Sequence, residues 1–543
     1  MKRAATLLPY IFFAALLPAM ILRDFTPSNE LRYLSIADEA LRDGHLFAFT
    51  CQGEPYADKP PLYLWAVMAG RALLGDGCMW FLALFSIIPA LVVIRTVDSW
   101  TRSLLGEGWR TAAMLMLMTG ALFAGLSVVL RPDMLMVMFI VLSLRTFWRI
   151  HSGERDTAGQ RMLFALYVFG ALFSKGPVGI LMPLVTTLLF LAVSGRLREA
   201  GRCWGWRTWL ILAVCCAAWF GNVYLEGGTE YLDNLLFHQT VDRAVDAFHH
   251  KQPVWYYVVA LMWSLAPWSL LAVGAIAVGA RRLKLTGLER FFLTASVSTF
   301  VMLSAFSSKL AVYLAPIFPF VVYLAALLLQ RMQPAGRWPR VLVAIPAAIF
   351  AAVLPGVAVA AHMPGTEFLK GWLCLTAAAI LSIGGAAALA MLFRRREAAG
   401  GRVQGAVCTL ACGMLAALFV GGFALPSLNG MIGYGPMCRQ AMELARSNGA
   451  EEYYVWKIRR PESMDVYLGR DIVEVSADDI LQGRCAGGVL MLDSRKLAAD
   501  EALSACIAPL SPQLAGPYTV VAVPACGIDA DAVQAQQQSP AGE

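Results

Sequence analysis

Apolar stretches long enough to cross a bilayer recur along the whole chain, and this limits what it can fold into. A crossing helix needs about 20 mostly apolar residues. Thirteen candidates read on that basis, at 6–22, 79–97, 111–130, 132–149, 162–175, 177–194, 208–224, 255–279, 291–307, 310–329, 341–360, 371–393 and 405–425. Inside lipid the backbone must satisfy its own hydrogen bonds, so these stretches are expected as helices. Composition agrees: of 543 residues, 58% are hydrophobic and only 15% charged. That excludes an ordinary soluble domain. The net charge of +7 does not point to nucleic acid, because the basic residues fall in short loops between the apolar stretches.

Those loops orient the chain. With Lys2 and Arg3 in the cytoplasm, Arg102, Arg110, Arg149, Arg155, Arg161, Arg196, Arg198, Arg202 and Arg207 fall on that side. So do Arg281, Arg282, Lys284, Arg290, Arg331, Arg337, Arg340, Arg394, Arg395, Arg396 and Arg402. Cytoplasmic loops carry such an excess. The run from the N-terminus to Leu22 resembles a signal peptide in outline, but it has no convincing small-x-small cleavage site and is expected to stay as the first span. The expected fold is an all-α polytopic membrane protein of about 13 transmembrane helices with a small extracytoplasmic α/β C-terminal domain. The membrane domain covers 1–425 and the outer domain 426–543.

Two large pieces then lie outside, the first loop at 23–78 and the tail from 426. In the tail, MCRQAMELARSNGA reads as a helix, and EEYYVWKI, SMDVYLG, GGVLMLD and YTVVAVPA read as short strands. Cys438, Cys485, Cys506 and Cys526 are there, where an oxidising compartment permits disulfides of undetermined pairing. The last dozen residues, AVQAQQQSPAGE, have a disordered composition.

The outer ends of the spans carry recurrent cations: Arg32, Lys59, Arg131, Lys175, Arg243, Lys309 and Lys370. Each alone reads as a snorkelling anchor. Together, on the face where cations should be sparse, they suit a phosphate-bearing lipid headgroup. Acids accompany the early ones, Asp24, Glu30, Asp58 and Asp133. In YADKPPLYLW, Pro60 and Pro61 fix Asp58 and Lys59 at the start of a short interfacial helix, with Tyr63 and Trp65 at the membrane surface.

NELRYLSIADEAL and YADKPPLYLW in the first loop resemble the polyprenyl-phosphate-dependent GT-C glycosyltransferases, which include the lipid A aminoarabinose transferase and the protein O-mannosyltransferases. LRPDMLM, LFSKGPVG, FHQTVDR, HHKQPVWYY and SSKLAVYLAPIFPFV extend the match in order, from residue 25 to about 325. The resemblance implies an inner-membrane transferase that takes a sugar from undecaprenyl phosphate. Its acceptor is extracytoplasmic: lipid A or a related envelope glycolipid is favoured, with a protein or glycan as the other choice. It implies that Arg32, Lys59 and Arg243 grip the lipid phosphate, with Lys175 and Lys309 in support. It implies a divalent metal, zinc, on Asp58 and His238, and catalytic carboxylates at Glu30 and Asp133.

The family's first-loop Asp is replaced by Asn29. An amide cannot take a proton from an acceptor hydroxyl. Three readings remain open: Glu30 or Asp133 is the base, the acceptor is itself acidic, or the protein is an inactive paralogue. A lipid transporter is a rival from another class. Transporters place ionisable groups near the bilayer midplane, whereas these spans are almost free of charge.

Overall fold

The computed structural model describes residues 2–236, 252–332, 337–393, 399–470 and 472–525. All thirteen apolar stretches are largely helical in it. Among the described residues nine helical stretches are long and apolar enough to cross a membrane, and one bent pair makes up to ten. The chain is thus a multi-pass membrane protein.

The remaining three stretches are shorter, broken or less apolar. The stretch 111–130 is divided into α5, Glu107–Met118, and α6, Ala121–Leu126. At the break the indole of Trp268 donates to Thr119 Oγ1 at 2.9 Å, and Ala121 N–H donates to the carbonyl of Ala266 at 2.9 Å. The partner segment is itself broken there, with Tyr256–Ser264 and Ser269–Arg282 meeting at 115°. Pro267 lies in that break and has no N–H to continue the helix. The helices Ala158–Lys175 (α8) and Val178–Val193 (α9) form the hairpin expected around SKGP.

The other helices used below are α1 (Lys2–Leu22), α3 (Pro61–Leu74), α4 (Met79–Thr101), α7 (Asp133–His151) and α10 (Trp206–Asp233). On α1, Ala5, Leu8, Phe12, Leu16 and Met20 are buried. This helical spacing turns one stripe inward, and α1 packs on α4, α5 and Ala399–Gly422. In the first loop, α2 spans Arg32–Asp43, and a hairpin pairs β1 (Thr50–Cys51) with β2 (Glu54–Pro55).

The tail holds a five-stranded sheet in the order β4-β3-β5-β7-β6. Its strands are β3 (Tyr453–Trp456), β4 (Val473–Glu474), β5 (Val489–Asp493), β6 (Gln513–Ala515) and β7 (Tyr518–Ala522). β3 is parallel to β4 and β5, and β7 is antiparallel to β5 and β6. Alternation sorts the side chains. Tyr453, Val455, Val489, Met491 and Val520 join the apolar core that runs through the helices. Tyr454, Trp456, Leu490, Leu492 and Val521 form a separate core on the other face. The helix Gly435–Asn448 packs on β5 and β7, as MCRQAMELARSNGA predicts.

The expected strand SMDVYLG is instead a turn, Pro461–Met464, and a short helix, Asp465–Leu468. Buried Met464, Val466 and Leu468 gave it an alternating pattern. Docking overrides that pattern: Ser35 Oγ donates to Asp465 Oδ2 at 2.7 Å, and Tyr467 OH donates to Asp24 Oδ1 at 2.6 Å. Cys438, Cys485 and Cys506 are buried free thiols, and Cys526 lies outside the described residues.

Candidate functional site

The start of α7 and the end of α8 bring a carboxylate and two cations together. Asp133 opens α7 and is fully buried. Arg131 donates to its Oδ2 at 2.9 Å, and Lys175, the last residue of α8, donates to its Oδ1. The Lys175 ammonium also sits 4.5 Å from the ring centre of Tyr313. The two short turns RPD and SKGP therefore converge, with one acid shared by two cations.

The first loop closes over this cluster. Lys59 donates to Asp58 Oδ2 at 2.8 Å, and Tyr56 OH donates to the same oxygen at 3.3 Å. Arg32 begins α2 and lies 4.6 Å over the Tyr56 ring. Tyr33 is the meeting point. Burial pushes its phenol well above the ordinary range, and the charges of Arg131, Asp133, Asp58 and Arg32 all act on it. Lys59 is close enough for its charge to act on Lys175.

The structure explains how Asp58 and Lys59 are held. Gln52 and Gly53, at φ of 58° and 76°, make the tight turn of the β1–β2 hairpin. Glu39 on α2 accepts from Gln52 N–H at 2.7 Å and Gly53 N–H at 2.9 Å. From α10, Glu226 accepts from the N–H groups of Leu46 at 2.7 Å and Phe47 at 3.0 Å. α10 breaks direction at Gly228, with φ 71° and ψ −171°. Beyond it, Tyr231 OH donates to the Tyr56 carbonyl at 2.7 Å and accepts from Phe49 N–H at 3.0 Å. Pro60 then leads into α3, which begins at Pro61.

Glu30 has a different environment. It is fully buried in the turn Pro27–Leu31. Arg23 grips both of its oxygens at 2.5 and 2.6 Å. The N–H groups of Thr26 and Leu130, both at 2.7 Å, and the Thr26 hydroxyl at 2.8 Å complete its bonds. Glu30 thereby ties the end of α1, the first loop and the turn before α7. Its neighbour Asn29 is exposed and has no side-chain hydrogen bond among the described residues.

Lys309 is buried and donates to the carbonyls of Phe306 and, at 3.1 Å, of Gln252. Arg243 and His238 lie outside the described residues. So does half of the expected metal pair, while Asp58, the other half, already receives an ammonium. Among the described residues no group of three or more His, Cys, Asp or Glu is placed to hold a metal.

Sequence reading missed the tyrosines. Tyr63, expected at the membrane surface, is buried against Tyr33 with ring centres 5.4 Å apart. Its hydroxyl has no hydrogen-bond partner among the described residues. Trp65 also packs inward, edge-on to Phe47 and Phe173, and its indole donates to the Leu46 carbonyl at 2.6 Å. The signal was present: RYLSIA and PPLYLW place aromatic residues beside the charged ones.

No family model matches the chain. The undecaprenyl phosphate-alpha-4-amino-4-deoxy-L-arabinose arabinosyl transferase of Edwardsiella ictaluri is 26% identical over 309 residues, covering 56% of this chain and 55% of that protein. The transferase of the same description from Shewanella sediminis is 24% identical over 390 residues, 68% of each. The match thus spans little more than half of the first relative and about two thirds of the second. The crystal structure of ArnT from Cupriavidus metallidurans bound to undecaprenyl phosphate superposes with a TM-score of 0.72 at 18% identity, over 96% of this chain and 98% of that one. The chain has the fold of that ArnT structure, and its sequence is similar to those of the aminoarabinose transferases.

Proposed function

We propose that this protein is an integral membrane glycosyltransferase that moves a sugar from undecaprenyl phosphate to an acidic envelope glycolipid, lipid A being the favoured acceptor. It works in the inner membrane, with its N-terminus in the cytoplasm and its sheet-bearing tail outside. The descriptions of the sequence relatives support the donor and the reaction class.

The observation that carries the reading is the state of the carboxylates at the site. Glu30 is gripped by Arg23, Asp133 by Arg131 and Lys175, and Asp58 by Lys59. An acceptor hydroxyl needs a base to take its proton. An acceptor phosphate arrives already ionised and needs none, which suits Asn29 in place of an acid.

In the reaction, the acceptor oxygen forms a bond to the sugar's anomeric carbon as the bond from that carbon to the lipid phosphate breaks. The electron pair leaves on the phosphate. Lys59, Lys175 and Arg32 are the cations that stabilise it, and Asp133 holds Lys175 and Arg131 in place. Preorganised charges aimed at the leaving group carry most of such catalysis. The Tyr63 hydroxyl is a donor available to the sugar or phosphate. The family resemblance implies inversion.

The test is turnover in proteoliposomes supplied with an undecaprenyl-phosphate-linked aminosugar and lipid A. The Lys59→Ala and Lys175→Met variants are expected to lose on the order of 100-fold in kcat while remaining in the membrane. Asn29→Asp is expected to stay within a few-fold of wild type. Unchanged turnover in both lysine variants would exclude this site.

A further inference from the structure

At the opposite end of α8 lies a cleft that the proposed reaction does not use. Its volume is about 560 Å³, and it is formed by the starts of α8 and α10 and the turn Leu197–Arg202 between them. Three arginines, Arg161, Arg202 and Arg207, line it. Arg161 is paired with Asp156 at 2.9 Å. Arg202 has only distant acids, Asp156 at 3.9 Å and Glu199 at 4.0 Å. Arg207 is exposed, lies 5.5 Å from the ring centre of Trp206, and makes no ion pair among the described residues. The cationic side of the cleft is therefore not neutralised.

The other wall is apolar. Met162 is 52% exposed and Leu210 52% exposed, and both line the cleft. Trp206, at 70% exposure, stands at its edge. Tryptophan favours the level of lipid headgroups. The first turn of α10 adds the positive end of a helix dipole. Arg161 and Lys175 are 14 residues apart on α8, about 21 Å at a rise of about 1.5 Å per residue. The cleft and the Asp133 cluster thus belong to opposite ends of the bundle.

We infer that this cleft binds the phosphate headgroup of an anionic glycerophospholipid, in the leaflet facing away from the proposed site. Arg202 and Arg207 meet the phosphate, and Met162 and Leu210 receive the first part of the acyl chains. The layering of guanidinium groups over apolar side chains fits an amphiphile rather than a free anion. The inference is independent of the proposed reaction.

The test uses the full-length protein, delipidated and offered phosphatidylglycerol or phosphatidylcholine, with retained lipid counted by native mass spectrometry. Wild type is expected to keep phosphatidylglycerol preferentially. The Arg202→Gln, Arg207→Gln double variant is expected to retain it about 10-fold less or weaker still, as the loss of two headgroup arginines implies. A second variant fills the cleft instead. A Cβ added at Gly201 meets nothing within 4 Å, so Gly201→Leu should fold normally and also lose the lipid. Equal retention of the two lipids, retention unchanged in both variants, or displacement by millimolar inorganic phosphate would each overturn the inference.

Discussion

Asp58 and Lys59 were legible from sequence because everything that singles them out is local: two prolines, an adjacent acid and base, and an apolar run behind them. Glu30 was not. Its role depends on Arg23 and on the N–H of Leu130, which lies 100 residues away. The two neighbours Asn29 and Glu30 therefore divide into an exposed amide and a buried acid whose hydrogen bonds are all made within the fold. Glu30→Gln should destabilise the protein by about 3 kcal/mol or more, because it leaves the Arg23 guanidinium buried without its counter-charge. Thermal melting in detergent measures this. Asn29→Asp should melt like wild type. A Glu30→Gln variant that melts normally but loses turnover would return Glu30 to a catalytic role.

At the scale of elements, the spans and tight turns follow from apolar length and from the two minimal charged turns. The breaks do not, because a break needs a partner. Thr119 meets Trp268 across 149 residues of sequence, and no local pattern announces that contact. The same holds for α10. Its apolar run predicted a span, but the turn at Gly228 and the latch beyond it involve Phe49 and Tyr56. Tyr231→Phe removes the donor to the Tyr56 carbonyl and the acceptor for Phe49 N–H. It should loosen the segment before Asp58, raise KM for the donor about 10-fold, a change of ~1.4 kcal/mol, and also lower the melting temperature, since a buried N–H and a buried carbonyl lose their partner. Gly228→Ala forces a side chain into a conformation almost restricted to glycine, at a cost of about 1–3 kcal/mol. It should weaken both melting and turnover.

At the scale of the whole molecule, the tail is tied to the first loop through Asp24. Its oxygens accept from Tyr467 OH at 2.6 Å and Gly435 N–H at 2.8 Å, while its own N–H donates to Asn429 at 2.9 Å. Sequence reading placed the tail outside but had no means of finding this joint. Burial and the Asp24 charge push the Tyr467 phenol above its ordinary value. A raised acid favours the protonated form in the docked state. The joint is therefore fully stabilised below about pH 10, the value of a free phenol, and loses that contribution as pH rises further. Protection factors in Asp465–Leu468, which divide out the base-catalysed intrinsic exchange rate, should fall above that pH in wild type, and Tyr467→Phe should lose that fall. The central claim, sugar transfer to an acidic glycolipid by the Lys59 and Lys175 cluster, is tested most directly in cells. The measurement is mass spectrometry of lipid A, envelope glycans and glycoproteins from cells carrying the wild-type gene, no gene, or the Lys59→Ala, Lys175→Met double variant. The account predicts that one sugar mass disappears from lipid A in the second and third cases, with the variant protein still in the membrane. Loss from a glycan or protein fraction, or no loss anywhere with the donor lipid present, would contradict it.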